Sequence, residues 1–107
     1  MLYKFKSKAA GDVIMTAPVG DRMMRLIGRE PAAKGILLPE VMPAAIAALE
    51  AAIQAEEQDR KLAEQEVAAE GRPLPPPPGI QLHQRAWPLI EMLRRAQAAH
   101  QDIVWGV

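Results

Sequence analysis

Ser7, in the stretch KFKSK, is the only serine of the 107-residue chain, Thr16 is the only threonine, and there is no cysteine. Nucleophilic catalysis needs a hydroxyl or thiol held against a base. Here it would have to use Ser7 at the end of a lysine-flanked strand, a poor foundation for a triad. The two histidines, His83 and His100, lie seventeen residues apart on one expected helix, too far along its axis to share a metal, and no acid or histidine stands beside either at ligand spacing. They read as polar residues near helix ends. The carboxylates Glu56, Glu57, Asp59, Glu64, Glu66 and Glu70 alternate with Gln, Lys and Arg, the pattern of a solvated helix face rather than a divalent-ion site. Gly11 and Gly20 each precede an aspartate without opening a phosphate-cradling loop, and read as turn residues. No catalytic residue, metal ligand or cofactor is assigned.

The best candidate for a binding surface is basic. Lys4, Lys6 and Lys8 alternate with apolar residues in LYKFKSK, and Arg22, Arg25 and Arg29 recur along one side of the segment that follows. Lysines on an exposed strand also guard against edge pairing. Nucleic acid is not the favoured partner, because the basic region lacks stacking aromatics apart from Tyr3 and Phe5, which are assigned to the core. An acidic segment of the same or a neighbouring chain is the favoured match for the arginines.

Such a segment exists. The whole chain carries 13 basic and 13 acidic residues and a formal net charge of +0, so no global attraction to nucleic acid or anionic membrane is indicated. The asymmetry is local: up to Leu38 bases outnumber acids, and from Pro39 to Glu70 only Arg60 and Lys61 interrupt a run of acids. The N-terminus builds no signal-peptide apolar region, and no apolar run approaches the ~20 residues of a membrane span. A cytoplasmic protein without membrane contact is expected.

The elements that must position these residues follow from periodicity. LYKFKSK has period two, with Tyr3 and Phe5 on one face and the lysines on the other, and VIMTA resumes β-favouring residues after a turn around Gly11 and Asp12. This predicts a hairpin that brings Val13 and Met15 near the aromatics. Val19, Met23, Leu26 and Ile27 have helical spacing, and Gly28 is a suitable stop. PAAKGILLPEVMP reads as a connection, and a second helix begins at its prolines. Met42, Ile46, Leu49 and Ile53 form its apolar stripe, but beyond Ala55 it is polar. Unbroken to about Ala69, it would be longer than a compact domain of this size, so its end should project or meet another subunit.

A third helix is expected in LHQRAWPLIEMLRRAQAAH, with Ala86, Leu89, Ile90, Leu93 and Ala96 on its buried face and Pro88 in its first turn. DIVWGV, with Ile103, Trp105 and Val107 on one face, reads as a strand joining the hairpin. Between the two long helices, residues 71–80 form a proline-rich connection. RPLPPPP has the spacing of a groove-docking peptide, but in polyproline II geometry the stretch spans roughly 28 Å. It is read as a stiff strut returning the chain near Ala52.

YKFKS, GDVIM, RAWPLIEMLR and the terminal VWGV together resemble a family of small bacterial proteins known only as a domain of unknown function. The resemblance spans nearly the whole chain and is weakest in the acidic and proline-rich middle. It implies a small soluble bacterial protein, and it supplies no functional residues.

The expected fold is one α+β domain over residues 1–107, with a small antiparallel sheet, the N-terminal hairpin plus the C-terminal strand, packed against three helices. The expected function is a non-enzymatic interaction or regulatory module that associates with itself, with another protein partner as an option. The alternative is a weak anion or nucleic-acid binder using the basic N-terminal surface.

Overall fold

The computed structural model describes residues 2–71 and 82–106. The proline tract, for which the sequence suggests a strut or a ligand, lies outside them, as does Val107. The chain is α+β: β1 (Leu2–Ser7), β2 (Ala10–Thr16), α1 (Ala17–Leu26), β3 (Gly35–Leu37), a turn of 3₁₀ helix (Pro39–Val41), α2 (Met42–Ala69), α3 (Leu82–Ala98) and β4 (Ile103–Trp105). The sheet order is β2-β1-β4-β3 with every neighbour antiparallel.

The hairpin pairs Tyr3 with Met15 and Phe5 with Val13, so the residues nearest the aromatics are those the alternation predicts. The turn itself differs. It falls at Lys8 and Ala9, tied by an Ala9 N–H bond to the Ser7 hydroxyl, and Gly11 and Asp12 lie inside β2. A second difference is the fourth strand. Gly35–Leu37, expected to be connection, pairs with β4 through Gly35↔Trp105, Ile36↔Val104 and Leu37↔Ile103. Three residues between prolines show no period of their own; the row of unpaired groups on β4 selects them.

The helices lie on one side of the sheet. Tyr3, Phe5, Met15, Leu37, Ile103 and Trp105 meet Met23, Met24, Met42, Leu49, Ile53 and the α3 face in one buried cluster. All five α3 residues predicted from spacing are buried, and Leu82 and Met92 join them. Trp105 is the hub. Its ring stands edge-on to Phe5 at 5.7 Å, its indole N–H donates to the Ala32 carbonyl at 3.0 Å, and the Arg29 guanidinium lies 5.3 Å from the ring centre.

Two glycines allow this packing. Gly20 is not a turn residue but lies within α1, where a Cβ would sit 2.1 Å from the Tyr3 ring. A Cβ on Gly35 would sit 2.4 Å from the Trp105 ring. In both places a large ring rests directly on backbone.

α1 ends as its glycine suggests: Gly28 has φ +83°, its N–H bonds the Arg25 carbonyl, and the Arg29 N–H bonds the Met24 carbonyl, a Schellman stop. α2 runs unbroken for 28 residues, about 42 Å. Pro88 departs from expectation, because it lies well inside α3 rather than in its first turn. It removes the bond that the Gln84 carbonyl would accept, and both residues are exposed, so water can serve that carbonyl.

Candidate functional site

Because strand side chains alternate, the sheet face turned away from the helices carries Leu2, Lys4 and Lys6 of β1, Asp12, Ile14 and Thr16 of β2, Ile36 of β3 and Val104 of β4. Nothing among the described residues covers it. Leu2 is 62% exposed, Ile14 59% and Ile36 41%, so every strand offers an apolar side chain to this face, with lysines between them. Lys4 pairs with Asp12 at 3.7 Å. Lys6 and Lys8 border a shallow depression with Ser7, Gln101, Asp102 and Val104, and neither has an ion-pair partner among the described residues.

The six basic residues singled out by the sequence therefore divide. Lys4 and Lys6 share the open face of the sheet, and Lys8 stands in the turn after β1. The arginines of α1 and of the stretch after it lie elsewhere: Arg22 pairs with Glu56 of α2 at 3.2 Å, Arg29, past the end of α1, covers Trp105 and donates to the Ile36 carbonyl, and Arg25 is exposed without an ion pair among the described residues. The acidic helix thus answers one arginine from within the same chain. Exposed pairs of this kind contribute about 0–1 kcal/mol each, so Arg22 and Glu56 orient α1 on α2 more than they stabilise it. Glu56 has a second task, accepting the N–H of Leu82 at 3.3 Å and so placing the described start of α3.

Tyr3 has a displaced pKa. Its hydroxyl donates to Asp21 at 2.5 Å. Burial, and then the hydrogen bond and negative charge of Asp21, raise it above the ordinary value of 10.0. A phenol held neutral in this way is a structural clasp between β1 and α1.

A second surface lies on the helices. Trp87 of α3 is 45% exposed, tilted against His83 at 5.6 Å, with the Arg94 guanidinium 5.6 Å from its ring. Arg94 also pairs with Glu50 of α2 and Glu91. Helical spacing relative to Leu89, Ile90 and Leu93 sets Trp87 off the buried face of α3. His100 stands just past α3 with φ 54°, remote from His83. Among the described residues no three His, Asp or Glu side chains gather as a metal site, and no helix is long and apolar enough to cross a membrane.

A protein-family model described as a domain of unknown function, DUF1840, matches residues 1–105. No curated protein and no solved structure matches the chain.

Proposed function

The chain belongs to the DUF1840 family, and from that premise we propose that it is a non-enzymatic, cytoplasmic interaction module that associates with itself. The observation that carries this reading is the uncovered sheet face, on which Leu2, Ile14 and Ile36 remain exposed while the other face is fully built over. Apolar side chains left exposed across one face of a small protein fit an interaction site. The thin inventory of nucleophiles and the shallowness of the depression beside Lys6 support a surface that binds rather than one that transforms a substrate. Light scattering of the purified protein over a wide concentration range tests it: a mass of two chains is expected, and a single-chain mass at every concentration overturns it.

One observation favours a second reading, an anion or nucleic-acid surface. Lys4 and Lys6 stand on the open sheet face and Lys8 in the turn that follows β1. Such binding would weaken steeply with salt. We expect no binding of a generic oligonucleotide at physiological salt; salt-sensitive binding that is lost when the three lysines become alanine would replace the first reading with this one.

A further inference from the structure

We propose that the outer half of α2 from one copy lies across the open sheet face of a second copy, and that the exchange is reciprocal. This deepens the self-association reading and rests on it. The described part of α3 begins beside Glu56, so α2 from Glu57 to Ala69, about 20 Å of helix, extends past it as an arm. The molecule measures 52 × 28 × 23 Å, with a Cα radius of gyration of 16.1 Å against about 13 Å for a compact domain of this length.

The arm has a face of its own. Leu62 is 58% exposed. Asp59 and Glu66, three residues before it and four after, share its side of the helix, and neither has an ion-pair partner among the described residues. The glutamate that is paired, Glu64, uses Arg60 of the same helix at 3.1 Å. One exposed leucine bracketed by two unpaired carboxylates is the complement of a sheet face on which lysines stand among isoleucines.

Each chain has one arm and one face. A one-way docking leaves an arm and a face free at the ends and continues into a filament, whereas a reciprocal docking about a two-fold axis uses both and closes.

Charge reversal tests the contact, since the residues concerned are exposed or half-exposed and the folded state can be checked by circular dichroism. Asp59→Lys with Glu66→Lys alters the arm, Lys4→Glu with Lys6→Glu alters the face, and a third variant combines all four. Sedimentation equilibrium is expected to show the dimer dissociation constant raised at least ~10-fold by either pair and brought back by the combination. A wild-type dimer that persists in both pairs, or one that the combination fails to restore, overturns this contact while leaving self-association in place. A wild-type monomer overturns both.

Discussion

Tyr3 is the chain's only tyrosine, and its surroundings set a pH limit on the fold. Its ring lies over Gly20 and stacks on Phe5 at 5.7 Å, and its hydroxyl is spent on Asp21. Ionising it would place an anion in a buried site beside a carboxylate. The folded chain therefore holds this proton more tightly than the unfolded chain, and above pH 10.0, the ordinary value, the unfolded state releases it first. The contribution to stability is whole below that pH and falls as pH rises toward the folded-state value. Tyrosinate absorbance, which reports Tyr3 alone, should titrate above 10.0 in the folded protein and shift down in denaturant. Tyr3→Phe should cost about 1 kcal/mol at neutral pH while abolishing the absorbance change.

At the scale of elements, two ends can be tested. α3 stops with a Schellman pattern in which the His100 N–H bonds Gln97 and the Gln101 N–H bonds Ala96, but the left-handed position is held by histidine rather than glycine. His100→Gly should raise stability by about 1 kcal/mol, read as an increase in denaturation midpoint at unchanged slope. β4 is the other end. It lies between β1 and β3, and Trp105 fills the site beneath Arg29, so Trp105→Ala should cost about 3–5 kcal/mol; an unchanged melting temperature would show that this strand does not hold the sheet. The start of α2 and the buried face of α3 were legible because both carry apolar residues at helical spacing, whereas α2 beyond Ala55 is polar and no apolar period marks its far end. β3 was not, since its three residues become a strand only through β4, a partner distant in sequence. Gly20 was also hidden, because what lies over a glycine is decided by another element.

For the whole molecule, the candidate site was legible in the same unequal way. Alternation alone put Lys4 and Lys6 on one face. The arginine spacing of α1 was equally clear, but the direction in which α1 lies on the sheet sends Arg22 to α2 and Arg29 to Trp105, and no local pattern encodes that direction. The order β2-β1-β4-β3 has a kinetic consequence as well. The seam at the middle of the sheet joins Lys6 to Val104, about 98 residues apart, and closing a loop of that length costs about 2 kcal/mol more entropy than closing one of ten. The hairpin and helices can form before that closure, so it sets the pace of folding. In a Trp87→Phe chain, where Trp105 is the only indole left, its fluorescence should reach the native value in the slowest phase, after most helical signal has been regained; a tryptophan signal that leads the helices would place the barrier elsewhere.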